Sequence, residues 1–270
     1  MQAQGLDRLD AQMLLLHVLD QTAHDRAWLL AHDSDLIDAA ALQRLDVLVK
    51  RRKQGEPLAY ITGHKEFFGL DLMVDERVLV PRPDTETLVE WALELLSHPL
   101  TESWGEGLLD LGTGSGAIAL AIKSRRPDVR VTALDVSEDA LAVARTNAQR
   151  LQLDVHFSQG SWLQDMAGRF QIIVGNPPYV AAHDQHLDAL NFEPLQALAS
   201  GADGLEDIRQ IIAQASAHLL PGAWLLLEHG YDQAAAVRRL LQQAGFEQVQ
   251  SRCDLAGLER CSAGQWQRLS

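Results

Sequence analysis

The sequence predicts an α/β fold: a doubly wound, mostly parallel sheet preceded by a small helical bundle and a β-hairpin linker. Three observations carry this. From Gly107 onward, short apolar runs alternate with amphipathic helical segments, the pattern of strands joined by crossover helices. The first run ends in Gly112-Thr113-Gly114-Ser115-Gly116, where a strand turns sharply into a helix. Before position 55, by contrast, apolar residues recur at helical spacing only.

The elements follow in order. Residues 1–55 read as a helical domain through Leu14, Leu15 and Val18, then Leu29 and Leu30, then Leu42, Leu45, Leu48 and Val49. Breaks are expected near Asp20–His24 and at AHDSDL, where Asp33 or Ser34 can cap a new helix. Residues 56–83, aromatic and β-branched with turn signals at Gly63 and Gly69, predict a β-hairpin linker. Residues 84–270 form the third part, opening with a helix from Asp84 to about Ser97 behind Pro83. Strands GLLDL, VRVTALDV, DVHFSQG, FQIIVGN and GAWLLLEHG follow, with helices GAIALAIKSR, SEDALAVARTNAQRL, DIRQIIAQASAHLL and DQAAAVRRLLQQAG among them. The last two strands, FEQVQSRCD and GQWQRLS, are too close in sequence for a parallel crossover and must pair antiparallel or lie apart.

Bulk composition excludes several classes. A chain of 270 residues that is 47% hydrophobic and 22% charged can bury a real core. No apolar run reaches the ~18 residues a membrane span needs, and the acidic, amphipathic N-terminus does not read as a secretory signal, so a cytoplasmic protein is expected. Cys253 and Cys261 lack metal-ligand spacing and read as ordinary thiols; no metal is expected. A net charge of −14 opposes gripping a phosphate backbone. The run Lys50-Arg51-Arg52-Lys53 is better explained as cations at a helix end, favoured by the macrodipole.

The chemistry concentrates at strand ends. Gly112, Gly114 and Gly116 suit a loop on whose backbone a ligand presses, and Asp135, 19 residues after Gly116, stands at the tip of the next strand. A carboxylate there accepts both hydroxyls of a ribose. NAD and S-adenosyl-L-methionine both fit that pair, and Val174-Gly175-Asn176-Pro177-Pro178-Tyr179 decides between them. Two prolines without N–H groups stop the strand and stiffen the turn. The Asn176 side-chain oxygen and the Pro177 carbonyl can accept both N–H bonds of one planar NH₂ group, amide or aromatic amine. As methylation makes that nitrogen positive, the bonds become charge-assisted, so they strengthen toward the transition state. Tyr179 offers a face for stacking. The turn has no paired acid for hydride transfer.

The stretches DLGTGSGAIALA, FQIIVGNPPYV, VPRPDTETLVE and LLLEHG resemble the protein-glutamine N5-methyltransferases of class 1 peptide chain release factors, the PrmC/HemK family. The likeness covers nearly the whole chain. It implies a Rossmann-like class I S-adenosylmethionine-dependent methyltransferase sheet and, as acceptor, the glutamine of the release factor's Gly-Gly-Gln loop. By matching motif, Gly112, Thr113, Gly114, Ser115 and Gly116 would cradle the methionine end of the cofactor, Asp135 its ribose, and Trp162 would lie beside the adenine. Asn176, Pro177, Pro178 and Tyr179 would hold the glutamine, with Asn176, Pro177 and Tyr179 as the catalytic set and Asn176 also touching the cofactor. The helical bundle would dock the release factor.

Two rival readings keep the same motifs: an adenine N6-methyltransferase of DNA or RNA, disfavoured by the net charge, and a silent S-adenosylmethionine-binding adaptor. Pro81–Glu86 reads as a lid over the cofactor or a helix start, and Asn191–Leu198 as a flap or a packed connection. His229, after Glu228, tempts as a base, yet this chemistry needs none. His64 and His183 read as solvated or structural.

Overall fold

The structure is a computed structural model and describes residues 5–21, 25–97, 107–164 and 166–267. It forms two compact units, Met1–His64 and Lys65–Ser270.

The first unit holds helices α1 (Arg8–Val18), α2 (Arg26–Ala31), α3 (Ala39–Lys53) and α4 (Leu58–Thr62). Their apolar faces meet through Leu14, Val18, Leu45, Val49 and Ile61. Aspartates cap three of them: Asp7, Asp25 and Asp38 accept from the amides of Asp10, Trp28 and Ala41. The cap of α3 is thus Asp38, not Asp33 or Ser34, because that helix begins four residues later than its composition suggests. Of the expected break at Asp20–His24, Asp20 lies just past α1 at φ 54°, and residues 22–24 lie outside the described residues. The segment Leu58–Thr62, expected as part of the hairpin connector, is helical and ends at Gly63 with φ 76°. In the basic run, Arg51 pairs with Glu56 and Arg52 with Asp10.

Next comes a hairpin, β1 (His64–Phe67) and β2 (Leu70–Met73), turned at Phe68-Gly69, both at positive φ. A 3-10 turn at Pro83–Thr85 leads into α5 (Glu86–Ser97). The doubly wound part then runs β3 (Leu108–Leu111), α6 (Ala117–Arg125), β4 (Val131–Asp135), α7 (Glu138–Leu151), β5 (His156–Gln159) and β6 (Phe170–Gly175). It continues with α8 (Glu206–His218), β7 (Leu219–Glu228), α9 (Ala234–Gln243), β8 (Glu247–Cys253) and β9 (Glu259–Gln265).

The strand order is β5-β4-β3-β6-β7-β9-β8, parallel from β5 through β7 and antiparallel at β9 and β8. From β3 the chain winds outward to β5, then returns to β6 on the other side of β3. That reversal makes a crevice at the carboxyl ends of β3 and β6, where ligands of such sheets sit. The last strand starts earlier than expected. Residues Glu259–Gln265 form it because small side chains such as Ser262, Ala263 and Gly264 slot between β7 and β8; residues 268–270 lie outside the described residues.

Both sheet faces are buried, so alternate residues enter opposite cores. Leu108, Ile172, Val174, Trp224 and Leu226 join Leu88, Trp91 and Leu120 on the face of α5 and α6. Leu109, Leu111, Ile173, Leu225 and Leu227 join Ile208, Ile211, Val237 and Leu241 on the face of α8 and α9. Among the described residues no helix is long and apolar enough to cross a membrane.

Candidate active site at the carboxyl edge of the sheet

The loop after β3 is built on a buried carboxylate. Asp110 accepts from the Thr113 hydroxyl at 2.6 Å and the Ala119 amide at 3.2 Å, tying the loop to α6. Burial pushes its carboxyl up to about 7. Gly112 sits at φ 67°, and a Cβ there would lie 3.3 Å from the Trp162 ring. Both the left-handed φ and the tight approach favour glycine here. Asp135, at the tip of β4, accepts from the amides of Gly114 at 2.8 Å and Ser137 at 2.9 Å. Burial raises this carboxyl while those amides lower it. Trp162 takes a left-handed backbone at φ 50°, and its indole N–H donates to Asp207 at 2.9 Å.

These residues surround a cavity of about 240 Å³. Of the residues expected to act, Gly112, Gly114, Asp135, Trp162, Asn176 and Pro178 line it. Thr113, Ser115 and Gly116 lie outside its wall. Thr113 and Ser115 are buried beneath the loop, and the Ser115 carbonyl accepts from Asn147 at 2.9 Å. Pro177 and Tyr179 also lie outside the wall; the Tyr179 carbonyl accepts from Gln233 at 3.0 Å. The wall also contains Gln196 of the segment Asn191–Leu198, and Arg77 and Asp207, which sequence reasoning did not single out. Nothing in the spacing of those two marks them; Arg77 comes from the loop after β2 and Asp207 from the first turn of α8, while Gln196 sits in a short 3-10 turn.

Around the Asn-Pro-Pro-Tyr turn the chain gathers buried polar groups. The Asn176 amide nitrogen donates to the Thr85 hydroxyl at 3.3 Å. Glu228 is buried, and that burial pushes its carboxyl up to about 7. Burial and the nearby Glu228 raise the Tyr179 phenol, so it stays neutral. The segment Pro81–Glu86 starts a helix and also clasps its surroundings. Arg82 pairs with buried Glu193, Asp84 with Arg260 at 3.2 Å, and Thr85 with Asn176. In the segment Asn191–Leu198, Pro194, Gln196 and Ala197 form cavity wall while Leu195 is exposed. Glu193 within it also accepts the Val80 amide at 3.1 Å.

His229 is not part of this group. It is fully buried and held between the Ser262 hydroxyl at 2.7 Å and the Gly230 carbonyl at 2.9 Å. Burial lowers its basicity. His64 and His183 are exposed, Cys253 and Cys261 are free thiols, and the described residues include no cluster of potential metal ligands.

Residues 1–63 match the family model described as the PrmC N-terminal domain, and residues 86–201 match the methyltransferase small domain. A release factor glutamine methyltransferase of Burkholderia pseudomallei is 49% identical over 275 residues, covering 98% of this chain and 94% of the relative. The chain belongs to the release factor glutamine methyltransferase family. Another member of that family, from Pseudomonas aeruginosa, is 49% identical over 263 residues, 96% of this chain and 92% of its own. As a family member the chain is a methyltransferase, and solved structures agree on the fold. A methyltransferase from Pyrococcus furiosus superposes with a TM-score of 0.55 at 20% identity, over 80% of this chain and 96% of that one. The hMettl16 catalytic domain, solved with an RNA hairpin, gives 0.59 at 16% identity over 91% and 94%.

Proposed function

We propose that this protein transfers the methyl group of S-adenosyl-L-methionine to N5 of the glutamine in the Gly-Gly-Gln motif of class 1 peptide chain release factors, releasing S-adenosyl-L-homocysteine. One observation carries the reading: the glycine loop, Asp135, Trp162 and Asn176 open onto a single cavity at the sheet's switch point. Relatives named for this activity support it.

The residues fit the cofactor. At Gly112 the backbone leaves open a space that any Cβ would fill beside Trp162. The Asp135 oxygens accept backbone N–H groups, among them those of Gly114 and Ser137, and keep further lone pairs for ribose hydroxyls. The Trp162 ring, fixed through Asp207, offers an edge or face for the adenine. When bound, the cofactor supplies an electrophilic sulfonium methyl.

The chain's own work lies at the acceptor. An amide nitrogen is a poor nucleophile because its lone pair is delocalised. The Asn176 oxygen and the Pro177 carbonyl hold both of its N–H bonds and aim the lone pair. As the nitrogen gains charge those bonds strengthen, which lowers the barrier. The prolines keep the two acceptors in place beforehand. Tyr179, held neutral by its surroundings, stacks on the flat amide. The protonated product loses its proton without a strong base. The helical unit Met1–His64 docks the release factor.

The test is mass spectrometry of an unmethylated release factor incubated with this protein and S-adenosyl-L-methionine. One added methyl on the Gly-Gly-Gln glutamine is expected. Methyl found in nucleic acid instead, or none with cofactor bound, would overturn the reading.

A further inference from the structure

The mechanism leaves the buried carboxyl of Glu228 unused. Glu228 ends β7 at 1% exposure, shielded from bulk solvent. Sheet register places it. Ile172 pairs with Trp224, Val174 with Leu226 and Gly175 with Leu227, so the next step on the same face sets Asn176 beside Glu228. On its other side Glu228 pairs with Cys261 of β9. That face is covered by α5, whose entry carries Thr85. Among the described residues neither Glu228 oxygen completes a hydrogen bond, yet the donors that favour its charge are the Thr85 hydroxyl and the Asn176 amide.

An asparagine amide can sit either way round. With its nitrogen toward Thr85 and Glu228, Asn176 faces acceptors and its oxygen faces the cavity. Flipped, its oxygen would oppose a buried carboxylate, two acceptors with no proton between them. We propose that Glu228 is a positioning residue: with Thr85 it receives the N–H bonds of the Asn176 amide and turns the Asn176 oxygen toward the cavity. What that oxygen does there rests on the methyl-transfer reading; its orientation does not.

A pH dependence follows. The groups facing Glu228 are Asp84 before α5, Tyr179 in the turn, and Arg260 and Cys261 on β9. Asp84 raises the Glu228 carboxyl and Arg260 lowers it, while Tyr179 and Cys261 are pushed up and stay neutral. Burial dominates and sets it at about 7. Below that pH the carboxyl holds a proton and can donate it to the Asn176 oxygen, drawing that acceptor away from substrate. Turnover therefore rises with pH through this range.

Two measurements test the proposal. The first needs no ligand: the side-chain NH₂ signal of Asn176, labelled with nitrogen-15 and assigned by its loss in Asn176→Ala. It should shift with pH around a midpoint near 7 and stay still in Glu228→Gln. The second is release factor methylation. Glu228→Gln should lose about tenfold or more in kcat with KM little changed, by the scale for a misplaced acceptor. Its acidic limb should vanish, and adding it to Asn176→Ala should cost nothing further. An Asn176 signal indifferent to pH, an unaltered kcat and pH profile in Glu228→Gln, or losses that multiply in the double variant would each overturn the proposal. If the wild-type protein methylates no release factor, the functional reading fails while the NMR titration still decides the orientation. Where Glu228→Gln does not fold, the wild-type titration, assigned through Asn176→Ala, still decides it.

Discussion

Asn176 has one amide group and two kinds of neighbour: Thr85 on the nitrogen side, the cavity on the other. Removing that amide leaves the fold's backbone untouched, so Asn176→Ala should lose about 100-fold or more in turnover, the scale for one preorganised polar contact. Cofactor binding, followed by calorimetry, should change little; near-normal turnover would sink the acceptor mechanism. Glu228 makes a separate prediction about stability. Its folded carboxyl is raised to about 7, above an unfolded value of about 4.3. The native state therefore binds that proton more tightly, and the stability it provides is lost as pH rises from about 4.3 to about 7. Glu228→Gln removes this dependence. Relative to wild type, the variant should gain stability between pH 5 and pH 8, by about 3 kcal/mol at most, in urea denaturation. An equal difference at both pH values would mean that the carboxylate is not desolvated. Legibility at this scale was uneven. Asn176 and Asp135 stand out in sequence because prolines or a strand end flank them. Thr85 does not, since its role depends on a side chain 91 residues away.

Elements aim these residues, and glycines let them approach. A Cβ on Gly204, itself at φ 73°, would overlap the Tyr179 carbonyl oxygen and crowd the Gln233 amide that binds it. Gly204→Ala should therefore push the acceptor turn out of place, lowering kcat while cofactor affinity holds. A drop in cofactor affinity alone would contradict this. Gly112→Ala should act oppositely: a left-handed backbone and contact with Trp162 should weaken cofactor binding about tenfold, the equivalent of 1.4 kcal/mol. Calorimetry separates the two variants. Alternation of apolar runs and helices was enough to list the strands and helices along the chain, while their order across the sheet came from the structure. It did not reveal that Leu58–Thr62 is helical, because a five-residue apolar stretch fits either period, and Gly63 closes it as a helix end. It also placed the last strand too late. Ser262, Ala263 and Gly264 carry little strand signal, and their fit between two neighbours decides the matter.

At the scale of the molecule, every described residue that lines the cavity falls between Arg77 and Asp207, within the unit Lys65–Ser270. A chain reduced to that unit should still bind S-adenosyl-L-methionine, measurable by calorimetry. It should methylate a release factor far more slowly, since the proposed docking unit is gone. Undiminished methylation would remove docking from Met1–His64. A net charge of −14 adds a repulsion against nucleic acid over the whole surface, consistent with a protein acceptor.

Sequence alone determined what depends on neighbours along the chain. Periodicity set the order of strands and helices, glycines marked the turn after β3, and consecutive prolines ended β6 at a pair of acceptors. Only the tertiary structure decided what depends on distance through space. Sheet register set Glu228 beside Asn176, the entry of α5 brought Thr85 over both, and packing against Gly112 laid Trp162 along the cavity. The physical reason is burial. A carboxylate in sequence is an ordinary surface charge; at the end of a strand covered on both faces it loses water, and its meaning comes from the groups that replace it.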